Sequence, residues 1–182
     1  MKVMVIGSIT GLGEAFIRQA TIEKLSYQTY EDNIESHLDT VKDMVKFTDV
    51  IVSFRGGSLQ SLNQNIQLIE LAEMYSKNLL LITSFGCGDS WCYLSEKAKS
   101  LFGIKLKYKS MSETWLMLSK VNWKIIRPVG LTDKKLNGTT KKTTNKSLPN
   151  GYINRECLAK LITKVIQSDW SKVEILYAYT DK

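Results

Sequence analysis

The chain has 182 residues, 43% hydrophobic and 24% charged, with a formal net charge of +7. That length suits a single domain with a substantial core. No apolar run approaches the roughly 20 residues of a membrane span, and Met1 leads into a strand rather than a basic, cleavable leader, so a cytoplasmic protein is expected. Three cysteines (Cys87, Cys92, Cys157) and the lone His37 make neither a disulfide framework nor a metal site.

Residues 2–6 are an apolar run of strand length, Lys2-Val3-Met4-Val5-Ile6. Gly7-Ser8-Ile9-Thr10-Gly11-Leu12-Gly13 follows at once and leads into a helical pattern over 11–23, with Leu12, Phe16 and Ala20 on one face. Strand, glycine turn and helix is the context in which glycines let a pyrophosphate approach the backbone and a helix N-terminus receive it. Without a ligand the same letters describe a plain strand-to-helix turn. A short strand is expected over 27–30. Ile34, Leu38, Val41 and Val45 then mark a helix. Residues 50–54 read as a buried strand ending in Arg55-Gly56-Gly57. Leu62, Ile66 and Ile69 mark a helix running to about 77, and residues 79–84 are another strand, ending in Phe85-Gly86-Cys87-Gly88.

Beyond a polar loop, a helix is expected from about 105 or 112 to 119, with Met111, Trp115 and Leu118 facing one way. A strand over 123–127 stops at Pro128. Residues 132–151 lack periodicity and read as a long flexible loop. Asn154 is an N-cap for a helix carrying Leu158, Leu161, Ile162, Val165 and Ile166, and a last strand covers 173–179.

Strands alternating with helices mean a parallel sheet covered on both faces, with ligands beyond the carboxyl ends of the strands. The segments there are 7–13, 54–57, 84–88 and 127–130. Three are glycine-rich and one holds Pro128, a convergence that permits close backbone approach from four strands. Charge is uneven. Residues 1–100 hold 9 Lys and Arg against 12 Asp and Glu, net −3; residues 101–182 hold 16 against 6, net +10. An anionic small molecule or a solvated lysine face accounts for that excess. Nucleic acid is not expected, since no recognition motif is present.

These segments resemble the atypical short-chain dehydrogenase/reductases, in particular NAD(P)H-binding proteins similar to biliverdin reductase B (a flavin reductase) and the NmrA-like group. The resemblance rests on residues 3–7 with Gly11 and Gly13, and on 81–90. It continues through Glu113-Thr114-Trp115-Leu116, residues 123–132 and residues 151–159. It implies an α/β, Rossmann-like, three-layer, doubly wound parallel sheet binding NADPH or NADH. Gly7, Thr10, Gly11, Leu12 and Gly13 would hold the pyrophosphate. Phe54, Arg55 and Gly56 would meet the cofactor at the next strand end. Ser84 and Phe85 would stand near the nicotinamide, and Pro128, Val129 and Gly130 would wall its pocket. Hydride would pass to a planar conjugated acceptor such as a flavin or tetrapyrrole; the NmrA-like relatives suggest a non-catalytic dinucleotide sensor instead.

Three departures from the family stand out. Thr10 replaces its middle glycine. Only 35 residues separate Gly13 from Asp49, so one strand of the N-terminal half is expected to be missing. Aligning Glu113 and Trp115 puts Lys109 at the catalytic lysine and Lys105 at the acid–base tyrosine, while Tyr93 and Lys97 repeat the Tyr-x-x-x-Lys spacing elsewhere. Ser84 and Lys109 are therefore the catalytic candidates. Glu31 and Asp32 either bind the ribose hydroxyls, which favours NAD over NADP, or form a solvated turn. Trp91 either stacks on a substrate or caps the core. Arg155 either pairs with a substrate anion or makes a structural salt bridge.

Overall fold

The computed structural model describes residues 1–147 and 151–181. The order is β1 (Lys2–Ile6), α1 (Gly11–Ile22), β2 (Ser26–Tyr30), a 3-10 turn at Glu35–His37, α2 (Leu38–Lys46), β3 (Val50–Ser53), α3 (Leu59–Met74) and β4 (Asn78–Ile82). A 3-10 segment at Gly88–Tyr93 follows, then α4 (Glu96–Leu118), β5 (Asn122–Pro128), β6 (Gly130–Thr132), β7 (Thr139–Thr143), β8 (Tyr152–Asn154), α5 (Arg155–Ile166) and β9 (Glu174–Asp181).

Apolar residues on both faces of the central strands demand cover on both sides. In β1, Val3 and Val5 join the core under α1 and α5, while Met4 and Ile6 join the core under α2, α3 and α4. The first layer buries Phe16 with Leu158 and Ile162, and the second buries Val41 and Val45 with Leu68 and Leu116. Full burial of a side chain such as Phe16 stabilises the fold by about 2 kcal/mol.

The main sheet runs β2-β1-β3-β4-β5-β9-β7, parallel except for the antiparallel β7–β9 pair. The chain winds outward from β1 to β2 and then crosses to β3 on the other side. The crevice between the carboxyl ends of β1 and β3 is therefore the switch point, where this topology places a ligand. β2 is the outer strand, and only the 3-10 turn and α2 separate it from β3. The expected shortening of the N-terminal half is present.

Two sequence expectations are corrected. α4 starts at Glu96, not at 105 or 112, because the Ser95 hydroxyl accepts the Ala98 N–H as an N-cap. Its buried face carries Leu106, Ser112, Glu113 and Leu116, while Met111, Trp115 and Leu118 are exposed. Polar pairing sets that orientation: the Asn65 amide donates to the Ser112 hydroxyl, and Glu113 binds an arginine beneath it. The stretch 132–151 is also not a bare loop. Thr139–Thr143 adds an edge strand to β9, and β6 pairs with β8. Residues 148–150 of that expected loop lie outside the described residues.

Candidate active site

The glycine turn after β1 has the geometry that an anion site requires. Gly7 has φ +79°, and a Cβ there would lie 3.0 Å from the Arg55 Cγ. A Cβ on Gly13 would lie 2.3 Å from the Gly7 carbonyl oxygen, so only glycine lets α1 settle on β1. Thr10 is the N-cap of α1, yet its side chain caps nothing. By contrast Ser58, Ser95 and Asn154 each accept an N–H at the starts of α3, α4 and α5. The first N–H groups of α1, like those of α2, therefore have no side-chain cap, and they lie at the positive end of the helix dipole, which favours an anion.

Glu31, just past β2, is half-buried, and its carboxylate accepts the Ser8 N–H at 2.5 Å and the Ser8 hydroxyl. That draws it against the glycine turn, where a ribose-binding carboxylate stands in this fold. Asp32 is exposed. The Arg55 guanidinium donates to the carbonyls of Glu31 and Asp32 and to the Gln64 side chain, tying the end of β3 to that of β2. The Phe54 ring packs on Phe16, with centroids 5.5 Å apart.

A cleft of about 600 Å³ lies over the ends of β3, β4 and β5. It gathers Gly56, Ser84, Phe85, Lys109, Pro128, Val129 and Gly130, all anticipated from the sequence. Phe54, Arg55 and the glycine turn do not line it. Ser84 is half-buried, and its hydroxyl makes no hydrogen bond among the described residues. The Phe85 N–H donates to the Pro128 carbonyl at 2.8 Å, closing the floor between β4 and β5. The Lys109 ammonium donates to the Thr83 carbonyl at 2.9 Å. Its stem crosses Gly56, where a Cβ would lie 3.0 Å from the Lys109 Cε. Burial holds the Lys109 ammonium below the ordinary lysine range, and the neighbouring Lys105 charge adds to that. Lys105 also lines the cleft and pairs with no carboxylate among the described residues. Tyr93 hydrogen-bonds Ser147 and stands outside.

A buried polar network supports the floor. Arg127 donates to both Glu113 oxygens, at 3.0 and 2.7 Å, and to Asp89 and the Tyr177 hydroxyl, at 2.6 and 2.8 Å. The Thr83 hydroxyl donates to Glu113 at 2.6 Å. Burial, and secondarily the Glu113 charge, pushes the Cys87 thiol up to about 11. Trp91 lies outside the cleft, against Gly103 and the Lys99 ammonium. Arg155 pairs with Asp133 at 2.7 Å, and its Nε lies 3.9 Å from where a Gly11 Cβ would stand.

Sequence reasoning missed Leu94, Phe102, Leu106, Leu131 and Tyr152 as cleft residues. Phe102 was the one with a usable signal, an aromatic side chain on a lysine-rich helix face. Tyr152 had none, because its contact with Gly130 joins two segments across an aperiodic stretch. Among the described residues no cluster of three or more His, Cys, Asp or Glu could hold a metal ion, and no helix is long and apolar enough to cross a membrane.

No curated protein sequence matches the chain significantly. Among solved structures it is similar to ChuY from Escherichia coli CFT073, at 25% identity and a TM-score of 0.86, covering 100% of this chain and 97% of that one. It is also similar to ChuY from Escherichia coli O157:H7, described as an anaerobilin reductase, at 23% identity and a TM-score of 0.88, covering 100% and 98%. A short-chain dehydrogenase/reductase from Veillonella parvula DSM 2008 in complex with NADP shares the fold at 10% identity and a TM-score of 0.70, covering 97% and 93%. The model of the NAD(P)H-binding family matches residues 15–169, so the chain belongs to that family of Rossmann-like proteins.

Proposed function

We propose that the protein is a cytoplasmic NAD(P)H-dependent reductase that passes hydride to a planar conjugated acceptor, a flavin or a tetrapyrrole. The observation that carries this reading is the cleft itself. Its walls are largely apolar, with the aromatic side chains of Phe85, Phe102 and Tyr152 beside Val129 and Leu131, while Ser84 and Lys109 supply polar atoms. The likeness to a reductase of anaerobilin supports a tetrapyrrole.

The residues fit a dinucleotide: Gly7, Gly11 and Gly13 make a cradle that a Cβ would fill or strain, and α1 lacks a side-chain cap. When bound, the reduced nicotinamide supplies the hydride. The glycine turn, with Thr10 and Leu12, holds the pyrophosphate. Glu31 accepts from the ribose hydroxyls and sets a like charge against a 2′-phosphate, which favours NADH. Ser84 orients the carboxamide side, and Pro128, Val129 and Gly130 exclude water from it. Lys109 holds a proton at Nζ beside the acceptor, and its lowered pKa brings that proton nearer to transfer at neutral pH. Lys105 attracts anionic groups on the acceptor. Lys105 rather than a tyrosine takes the aligned acid–base position one turn before Lys109, which suits acceptors that take a proton from an ammonium or solvent rather than an alcohol–ketone pair.

The test is loss of nicotinamide absorbance with the purified protein after FMN or biliverdin is added. Protein-dependent oxidation of NADH is expected. The competing reading, a dinucleotide sensor, is favoured by Lys105 at the tyrosine position; cofactor binding with no turnover of either acceptor would support it.

A further inference from the structure

Arg155 is a cation that the function proposed above does not use. It opens α5 directly after β8, and the pairing of β8 with β6 sets Asn154 beside Thr132. The Asn154 amide donates to the carbonyls of Asp133 and Lys134, at 3.2 and 3.1 Å, which fixes the turn that follows β6. Arg155 meets Asp133 there, with Nη1 2.7 Å from the carboxylate. Its Nε lies 3.9 Å from where a Gly11 Cβ would stand. Among the described residues outside α1 and the neighbours of Gly11, no other heavy atom comes within 4 Å of that point. The space over Gly11 is therefore open apart from this guanidinium. Arg155 links the glycine turn to the end of β6, whose Gly130 lines the cleft.

We propose that Arg155 clamps the pyrophosphate of the bound dinucleotide, and that the Asp133 carboxylate holds the guanidinium until the phosphates displace it. The proposal rests on the dinucleotide reading of the glycine turn. Charge calls for such a residue. A dinucleotide brings two negative phosphates to a turn that offers them only N–H groups, and Glu31 sets a further negative charge beside Ser8. The other cations on this side of the molecule are engaged. Arg55 donates to the carbonyls of Glu31 and Asp32 and to the Gln64 side chain. Arg18, farther along α1, lies between Glu14 and Glu156, at 2.7 and 2.6 Å. Arg155 has Asp133 as its one ionic partner among the described residues, and the Asp133 side chain is 84% exposed. An ion pair open to solvent is weak and readily exchanged. A carboxylate and a phosphate each present two oxygens to the planar guanidinium fork, so one replaces the other without rebuilding the site.

The test is calorimetric titration of wild type, Arg155→Met and Asp133→Asn with NADH and with ADP-ribose, which keeps the pyrophosphate and lacks the nicotinamide. Circular dichroism checks that each variant is folded. Arg155→Met should weaken both ligands by the same factor, about tenfold or more. Asp133→Asn should tighten both about threefold, because it removes the competing carboxylate and keeps the backbone carbonyl that Asn154 binds. The sign of that second change stands even where Arg155→Met fails to fold. A purely structural ion pair predicts unchanged or weaker binding by Asp133→Asn, and that result overturns the proposal. Unchanged affinity of Arg155→Met for both ligands, with a raised KM for FMN or biliverdin, overturns it in favour of an anion on the acceptor. In both cases binding by the wild type leaves the dinucleotide reading standing. A wild type that binds neither ligand overturns that reading and this proposal with it.

Discussion

In the proposed reaction, Lys109 is the residue that carries the proton. A cation enclosed by protein loses solvation, so its proton is held less tightly than that of a free lysine. If its proton is delivered to the acceptor, kcat falls as pH rises through that lowered pKa. Lys109→Met should lower kcat by roughly 10²-fold, leave NADH affinity intact and remove that alkaline limb; steady-state kinetics against pH check all three. The same shift has a stability sign. The unfolded chain binds the Lys109 proton more tightly, so stability rises with pH between the lowered folded value and the ordinary lysine value. Glu31 belongs to the same scale. Glu31→Gln should shift preference toward NADPH by about tenfold, or about 1.4 kcal/mol, read as a ratio of dissociation constants. Cys87 is buried with its thiol pushed up to about 11, whereas Cys92 and Cys157 are exposed. A thiol-reactive dye should label the latter two in the native protein and Cys87 only after unfolding.

At the scale of elements, the Glu113–Arg127 pair fastens α4 to β5 beneath the cleft. Both side chains are fully buried, so breaking the pair leaves an uncompensated charge. Glu113→Gln should lower unfolding free energy by about 3 kcal/mol in urea titration. Gly13→Val should cost about 2 kcal/mol, because its Cβ cannot fit against the Gly7 carbonyl without moving α1. The strands of this core were legible in the sequence, since β1, β3 and β4 are continuous apolar runs bounded by turns. So was the helix start at Asn154, whose side chain accepts the Glu156 and Cys157 N–H groups. The start of α4 was not, because Glu96 to Ser100 shows no apolar period, and its orientation was misread. The 3-4 pattern of Met111, Trp115 and Leu118 reports an apolar face without saying which surface it meets. The buried side is chosen by Glu113, whose partner lies fourteen residues away on another element.

At the scale of the molecule, the outer position of β2 gathers Glu31, Ser8 and Arg55 at the carboxyl ends of β2, β1 and β3. The four strand ends named from the sequence converge as expected, yet they divide between the glycine turn and the open cleft. That division could not be read from spacing, because it depends on where the long side chains of Arg55 and Lys109 lie. The basic C-terminal half adds a long-range field. KM for a carboxylated acceptor such as biliverdin should rise with ionic strength between about 50 and 200 mM more steeply than KM for an uncharged one. The central claim, that the uncapped glycine turn and Glu31 together hold a dinucleotide, is tested most directly by calorimetric titration of the purified protein with NADH and NADPH. Binding of one NADH per chain, tighter than NADPH and abolished by Gly13→Val in a protein that remains folded, is the result expected. No heat with either nucleotide would contradict it and would mean that the shortened N-terminal half has lost the site.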